Sequence, residues 1–209
     1  LMHPEVLRLR RLERKLFQSW CQWLCKPEQN KIQEDTSRIR FQGIAREVEN
    51  NLLREKGPWL TPTSNNSNFQ LPGSVDVIFI PYLERMNASL AYYKGFILRQ
   101  EHPTIHEWLK GLEKLSVYRG TQGDFHTHAH DLPPQMGGCW FNNNLEQQKI
   151  CTAIDSGEGL GKYEMSLSTS GESIYIKPEI NALARVYKHR KNILELNPLG
   201  PELFDQPLR

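Results

Sequence analysis

The sequence predicts an all-α domain followed by a long irregular C-terminal arm that holds one late helix. Several segments repeat apolar residues at steps of three or four, which is the period of an amphipathic α-helix. No segment of the 209-residue chain shows the sustained alternation of apolar and polar residues that indicates strands. After Tyr118 the helical period is lost, and polar residues, proline and glycine become frequent.

The first predicted helix ends before Pro27, because proline disfavours helical backbone in the residue before it. Its apolar face repeats at helical spacing: Leu9, Leu12, Leu16, Trp20 and Leu24, widened by Phe17 and Trp23. We expect its solvent-facing side to carry the charged residues Arg10, Arg11, Glu13, Arg14 and Lys15.

A second helix is predicted from about Thr36 to Lys56, with an apolar face of Ile44, Val48 and Leu52 and a stop at Gly57-Pro58. The stretch Thr61 to Pro72 is rich in Asn, Ser, Thr and Pro and is predicted to be a loop.

The most apolar helix of the chain follows Gly73. Asp76 lies three residues after Gly73, where its carboxylate can accept hydrogen bonds from free backbone N–H groups at the helix start. Apolar residues then continue to Leu90, so we expect this helix to be buried nearly all round. Pro81 lies inside it and should bend it, because proline removes one helical hydrogen bond.

A shorter helix is predicted from about Thr104 to Leu115, with Thr104 as the candidate cap and Glu107 at the third position. We expect irregular backbone from Gly120 to Trp140 and a mobile surface loop from Asp155 to Ser173. The last helix is predicted from about Pro178 to Leu196, followed by a proline-punctuated tail.

Composition and charge exclude several classes of protein. The 26 Lys and Arg residues against 24 Asp and Glu leave a formal charge of +2, which argues against a strongly cationic nucleic-acid binder. No apolar run approaches the ~20 residues that cross a bilayer, so we expect no transmembrane segment. Four cysteines form no disulfide framework, which favours a reducing compartment. The opening Leu1-Met2 has no signal-peptide pattern and suggests a processed chain or a fragment.

Three stretches of the predicted helical domain resemble, in order and spacing, segments of a known protein family. They are the run Val75-Asp76-Val77-Ile78-Phe79-Ile80-Pro81-Tyr82-Leu83-Glu84-Arg85-Met86, the segment Trp108 to Arg119 after Pro103, and Gly57-Pro58-Trp59-Leu60. In this order they resemble the core helix, the following helix and the preceding turn of glutathione S-transferase C-terminal domains. The resemblance covers about Leu9 to Gly120. It implies that residues 1–120 form this helical bundle and residues 121–209 an extension.

The extension resembles one branch of that family. Its sequence from Asp124-Phe125-His126 to Asp131-Leu132-Pro133-Pro134-Gln135-Met136-Gly137-Gly138-Cys139 is similar to an extension in plant, algal and cyanobacterial members. Gly73 stands where the family has Ser or Thr, so only the Asp76 half of its capping pair is present. A complete transferase binds glutathione on an N-terminal thioredoxin-like domain, and no such domain precedes Leu9 in this sequence. We therefore expect no cofactor, and glutathione only if an upstream domain exists.

The resemblance also implies an apolar acceptor pocket between the first and third helices. Aromatic candidates for its lining are Trp20, Trp23, Tyr82, Tyr92, Tyr93 and Phe96, and Arg85 lies on the same core helix. The alternative is that these aromatic residues are core residues, as aromatic residues at helical spacing usually are.

The densest group of metal-ligand residues lies at the start of the extension: Asp124, His126, His128, His130 and Asp131. Imidazoles two residues apart share one face of an extended segment, and Cys139 could add a ligand after a reversal at Gly137-Gly138. Alternatively, these histidines cap helices and bind loop carbonyls.

Two further groups have both a functional and a structural interpretation. Cys21 and Cys25 lie one turn apart near the end of a predicted helix, where a thiolate is disfavoured, so packing is favoured over redox chemistry. A basic strip on the last helix either contacts an acidic partner or is a solvated face: Lys177, Arg185, Lys188, Arg190 and Lys191.

The first functional hypothesis is a non-catalytic interaction subunit. Glutathione-transferase-like helical domains serve as docking modules in translation-factor and tRNA-synthetase assemblies, and a proline-punctuated arm suits wrapping around a partner. Its partners would be other protein subunits. The branch resemblance suggests a photosynthetic assembly at the thylakoid in a plastid or cyanobacterial-type cell, with the cytoplasm as the alternative compartment.

The second hypothesis is an enzyme fragment. The chain would then be the C-terminal half of a glutathione S-transferase, and the thiol-activating thioredoxin-like half would lie upstream of Leu1. A strand-helix-strand sequence with a cis-proline upstream would favour this hypothesis over the first.

Overall fold

The computed structural model describes residues 3–27, 30–54, 58–61 and 71–160, together with seven residues between 180 and 193. Within these ranges all regular elements are helical and no residue belongs to a strand, which confirms the all-α prediction. The seven residues fall within the predicted last helix and are themselves helical: Ile180, Leu183, Val186, Tyr187, Arg190, Lys191 and Ile193. The rest of that helix, the tail, and most of both predicted loops lie outside the described residues.

The first two helices are long and pack side by side. α1 (Pro4–Cys25) starts with a proline, whose missing N–H would have no helical partner there, and buries the predicted leucine and tryptophan stripe. α2 (Lys31–Arg54) begins earlier than predicted. Its first turn buries no apolar residue, since Ile32 is 77% exposed. The helix start is marked instead by the Asn30 side chain, which accepts a hydrogen bond from the Gln33 N–H at 3.0 Å.

The central helix is α3 (Ser74–Ser89), which packs on α1 and on a later helix. The expectation that it is buried nearly all round is wrong, because Val77 is 57% exposed and Pro81 is also exposed. These residues occupy a face that neither neighbouring helix covers. One side of α3 is therefore left uncovered by the helices that the structure describes.

Asp76 connects the start of α3 to two other parts of the chain. Its carboxylate, fully buried, accepts from the Gly73 N–H at 3.1 Å, as the cap prediction requires. It also accepts from the backbone N–H groups of Leu60 and Thr61 at 2.8 and 3.1 Å, and from the Trp108 indole N–H at 2.8 Å. One side chain thus fixes a helix start, the preceding turn and the helix that follows.

α3 continues directly into a π-helical segment (Leu90–Lys94), all of whose residues are buried. The segment ends at Gly95, which has φ +67°. A Cβ at this position would also lie 3.0 Å from the backbone nitrogen of Gln147. Glycine is therefore required both by the left-handed backbone and by the close approach of a later helix.

Three helices follow in short succession: α4 (Leu98–Glu101), α5 (Pro103–Glu113) and α6 (Ser116–Thr121). The prediction that Thr104 caps α5 is wrong, because the helix begins at Pro103 and Thr104 lies in its first turn. The Thr104 N–H is bound instead by Glu49 of α2, at 2.9 Å. The other Glu49 oxygen lies 2.9 Å from Nδ1 of the buried His102.

The interpretation of the extension as an irregular arm with one helix is wrong for three segments, which form α7 (Phe125–His130), α8 (Leu132–Met136) and α9 (Leu145–Asp155). Residues 137–144 between α8 and α9 form no helix, so the expected irregular backbone is present at residues 137–140. Side-chain caps set two of the starts: Asp124 accepts from the Thr127 N–H, and Asn144 from the Gln147 N–H, each at 2.7 Å. Two of the helices have only five or six residues, too few for a helical period to be visible in the sequence.

The extension shares the core of the preceding helices. Its apolar side chains belong to the same buried cluster as α1 and α3: Ala129, Leu132, Ile150, Ile154 and Leu160. Gln147 donates its amide hydrogen bond to the Tyr92 carbonyl at 2.7 Å, and the Asn142 N–H donates to the Tyr93 carbonyl at 2.8 Å. The hydrophobic core therefore extends across the predicted boundary at residue 120.

Among the described residues, the helices are either too short or too polar to cross a lipid bilayer, as the sequence predicted.

Candidate functional site

An open groove of about 700 Å³ lies between α1 and α3, beside the uncovered face of α3. We call it the basic groove, and its lining consists of Leu7, Arg10, Arg11, Glu13, Arg14, Lys15, Gln18, Ile78 and Tyr82. The cations come from α1, where i, i+4 spacing puts Arg10 with Arg14 and Arg11 with Lys15. The apolar lining comes from both helices. The groove therefore combines apolar contact area with positive charge.

Arg14 is held in place at this groove. Its guanidinium makes a bidentate ion pair with Glu13 and stacks over the rings of Phe17 and Tyr82, 4.9 Å from each centroid. The hydrogen bonds that Arg14 donates to the Glu13 carboxylate raise the pKa of Arg14 above its usual value, so this charge is permanent. The prediction that Glu13 faces solvent is wrong, since only 3% of it is exposed. The rings of Phe17 and Tyr82 and the carboxylate of Glu13 thus hold the Arg14 guanidinium in one position.

Two other cations of the basic groove have no such partner. Arg11 and Lys15 are exposed and form no ion pair with any residue that the structure describes. Among the described residues that line the groove, Glu13 is the one acidic residue, and Arg14 already neutralises it. The groove consequently carries unneutralised positive charge, which favours an anionic ligand or an acidic protein surface.

Most of the aromatic candidates for an acceptor pocket are core residues here. Trp20 and Trp23 are each 1% exposed, and their indole N–H groups donate to Ser89 Oγ at 3.1 Å and Glu34 Oε1 at 2.7 Å. Tyr92 and Tyr93 are also buried, and Phe96 packs edge-on against Trp23. These five do not line the basic groove. The acceptor-pocket role stays a prediction, and the core alternative accounts for their burial.

The other two candidates on α3 lie nearer the surface. Tyr82 lines the basic groove. Arg85 is paired instead with the extension: it donates to Asp131 Oδ2 at 3.2 Å and to Gln135 Oε1 at 3.0 Å. Arg85 therefore ties α3 to the start of α8 and does not line the groove.

A second group of polar side chains lies where α7 meets α9. His126 and His130 are one turn apart on α7, and their ring centroids are 4.3 Å apart. His130 Nε2 is 2.9 Å from Asp155 Oδ1, at the end of α9. One ring nitrogen from each histidine and one Asp155 oxygen all lie within 4.8 Å of one another. We call His126, His130 and Asp155 the His–Asp cluster.

Its composition differs from the predicted metal-ligand set. The expectation of an extended segment is wrong, because these residues form α7, where side chains four apart share a face and those two apart do not. His128 therefore points elsewhere, with Nε2 3.7 Å from Glu84 Oε1. Asp131 pairs with Arg85, and Cys139 is a free thiol that packs against the hydrophobic core. Asp155 was not among the predicted ligands, and no local sequence signal connects it to α7.

Neighbouring side chains hold Asp155 in position. Its Oδ2 accepts from the Tyr92 hydroxyl at 3.0 Å, and Cys151 Sγ lies 3.7 Å away. Partial burial opposes the ionisation of Asp155, but the hydrogen bonds from His130 and Tyr92 outweigh it and hold its pKa below the usual value. The carboxylate is therefore charged at neutral pH.

The cysteines are all free thiols. Cys21 and Cys25 are half-buried on α1 and pack against the core, as the packing interpretation expects. Burial raises the pKa of Cys21 to about 11, which keeps the thiol protonated and unreactive at neutral pH. Of the predicted basic strip, Arg190 and Lys191 are described, and the Arg190 guanidinium stacks 4.2 Å from the centroid of Tyr187. The other three residues of the strip lie outside the described residues.

Comparisons with known proteins find no counterpart: no protein-family model, no curated protein and no solved structure matches the chain.

Proposed function

We propose that this chain is a non-catalytic interaction module with a fold like the C-terminal domain of glutathione S-transferases, and that it docks a protein partner at the basic groove. The observation that carries this proposal is an open groove with apolar walls and two cations, Arg11 and Lys15, that no described residue neutralises. The resemblance of the core helix adds support. Asp76, the half of the family's capping pair that is present, accepts a hydrogen bond from the Gly73 N–H at the start of this helix.

The chemistry of the groove specifies the kind of partner. Carboxylates on the partner would pair with Arg11 and Lys15, while apolar side chains would cover Leu7, Ile78 and the ring of Tyr82. Arg14 is already ordered by its ion pair and its two aromatic contacts, so little side-chain entropy is lost when a partner binds. The partner surface therefore combines carboxylates with apolar side chains.

The branch resemblance of the extension indicates where to look for the partner. We propose a plastid or a cyanobacterial-type cell as the compartment and a photosynthetic assembly at the thylakoid membrane as the partner complex. The chain would join this assembly as a peripheral subunit.

The position of the groove also favours a second candidate function. It lies between the first and third helices and is lined by Tyr82, where the resemblance implies the acceptor pocket of a transferase. The occupant would then be a thioredoxin-like domain of the same polypeptide, which would supply glutathione and activate its thiol. Both candidates use the same groove and differ in whether its occupant is another protein or an upstream domain.

A photo-crosslinking residue at position 7 tests occupancy of the groove directly. Leu7 lines the groove and is 42% exposed, and the matched control is the same replacement at Ile39 of α2, which is 64% exposed. Expressed in a photosynthetic host, the chain should give one discrete adduct from position 7 and none from position 39. Equal adducts from both positions, or none from either, would contradict docking at this groove.

Charge reversal tests the chemistry of the same contact. The double variant Arg11→Glu/Lys15→Glu should lower the adduct yield from position 7 by about tenfold, because like charges placed across an interface cost several kcal/mol. Arg40→Glu/Arg46→Glu on α2 makes the same change in net charge at exposed positions and should leave the yield unchanged. A similar loss in both variants would show that net charge alone is responsible.

The mass of the native protein separates the two candidates. An adduct to a different polypeptide, with a native chain close to the mass of these 209 residues, supports the interaction module. A native chain longer by a whole domain, with the crosslink inside it, supports the transferase. Conjugation of glutathione to an electrophile would then be the activity to measure.

A further inference from the structure

The His–Asp cluster brings together two imidazoles and one carboxylate from separate helices. His126 and His130 come from α7, and Asp155 comes from the last turn of α9. The three prospective ligand atoms lie within 4.8 Å of one another, and His130 Nε2 is already 2.9 Å from Asp155 Oδ1. Around a tetrahedral Zn²⁺ the ligand atoms lie about 3.4 Å apart, because each bond is about 2.0–2.1 Å long. The largest separation in the cluster, at most 4.8 Å, exceeds that spacing by about 1.4 Å, and all three side chains are exposed.

The two helices that carry these ligands are fixed to the core. Ala129, between the two histidines, is buried, and its carbonyl accepts from the Tyr93 hydroxyl at 3.0 Å. On the α9 side, the Tyr92 hydroxyl holds Asp155 Oδ2 at 3.0 Å. Such hydrogen bonds from outside the ligand set orient a coordinating carboxylate.

We propose that His126, His130 and Asp155 form a binding site for one divalent transition-metal ion, with Zn²⁺ as the ion that fits best. Imidazole nitrogen and carboxylate oxygen are ligands that Zn²⁺ takes in proteins, and two histidines four apart on one helix face are a recurrent bidentate arrangement. Three protein ligands leave a fourth position for water. The carboxylate also neutralises part of the charge of the ion.

Metal binding at this place would join α7 to α9. The ion replaces the hydrogen bond between His130 and Asp155 with coordination bonds and adds His126 to the contact. The ion would link α7 to α9, and α9 packs against the π-helical segment. The site lies on α7 and α9, and the basic groove on α1 and α3, so each proposal can fail without the other.

Titration of the tag-free chain with Zn²⁺, measured by isothermal titration calorimetry, tests the proposal. We expect one ion per chain, and at least tenfold weaker binding in the variant His130→Ala, because loss even of a hydrogen-bond partner of a metal ligand typically costs 10–100-fold in affinity. The matched control is His128→Ala, which removes a histidine from the same helix on the side that faces Glu84. It should bind Zn²⁺ as the unaltered chain does.

A second readout uses thermal unfolding. Saturating Zn²⁺ should raise the unfolding midpoint of the unaltered chain and of His128→Ala, since a ligand that binds only the folded state stabilises it. At the same Zn²⁺ concentration the midpoint of His130→Ala and of His126→Ala should rise less, because weaker binding gives less stabilisation. Both replaced histidines are exposed, so both variants should fold. No binding by the unaltered chain, or equal affinity in His130→Ala, would overturn the proposal.

Discussion

Replacing Asp76 with alanine is expected to lower the free energy of unfolding by about 4 kcal/mol. The substitution leaves the Leu60 and Gly73 N–H groups and the Trp108 indole N–H without the acceptor that they share. A buried donor left unpaired costs about 1–3 kcal/mol, and water entering the space recovers part of that loss. Urea unfolding, followed by circular dichroism, measures the change as a shift of the midpoint.

Two further variants show whether the hydrogen bonds of Asp76 cause the loss. Asp76→Asn keeps one acceptor oxygen and should fall between the unaltered chain and Asp76→Ala. Asp35→Ala removes a carboxylate that is 40% exposed and paired with Arg38 on the surface, so it should change stability by less than about 1 kcal/mol. If Asp76→Ala costs no more than Asp35→Ala, the carboxylate does not organise this junction.

The second large effect is expected at the ion pair between α2 and the π-helical segment. Lys94 Nζ lies 3.0 Å from Glu34 Oε2, and the two side chains are 1% and 14% exposed. Glu34 also accepts from the Trp23 indole N–H at 2.7 Å. Glu34→Ala should therefore cost about 3–5 kcal/mol, because it leaves a buried ammonium group without its counter-charge. The free energy of unfolding in urea is again the quantity to measure.

A double-mutant cycle separates the ion pair from the loss of side-chain packing. Lys94→Met retains most of the side-chain volume, and the double variant Glu34→Ala/Lys94→Met should be more stable than the two single losses predict. The surface pair Glu107 and Lys110 on α5, with side chains 66% and 36% exposed, is the comparison and should give a coupling near zero. Additive losses at Glu34 and Lys94 would contradict a direct interaction.

The helices with strong apolar periods were predicted from the sequence. The stripe from Leu9 to Leu24 and the residues around Trp108 are buried as their spacing indicated. Asp76 was identified as a cap because the distance from Gly73 is a local feature. Its bonds to Leu60, Thr61 and Trp108 were not predicted, because they join segments that are distant in sequence.

The short helices of the extension were missed for a physical reason. A helix of five or six residues makes fewer than two turns, so no apolar period accumulates and caps decide its limits. Asp124 and Asn144 were available as signals, since both are residues that cap helices well. For α9 the apolar positions Ile150 and Ile154 added a weak second signal.

The sequence by itself determined the all-α class, the helices α1, α3 and α5, and the presence of cations on α1. It did so because helical period, caps and proline positions act within a few residues along the chain. Only the tertiary structure decided which side chains meet. It placed Arg11 and Lys15 beside α3 and brought Asp155 to His126 and His130. Such contacts depend on how helices pack across the core, and a local pattern contains no information about that packing.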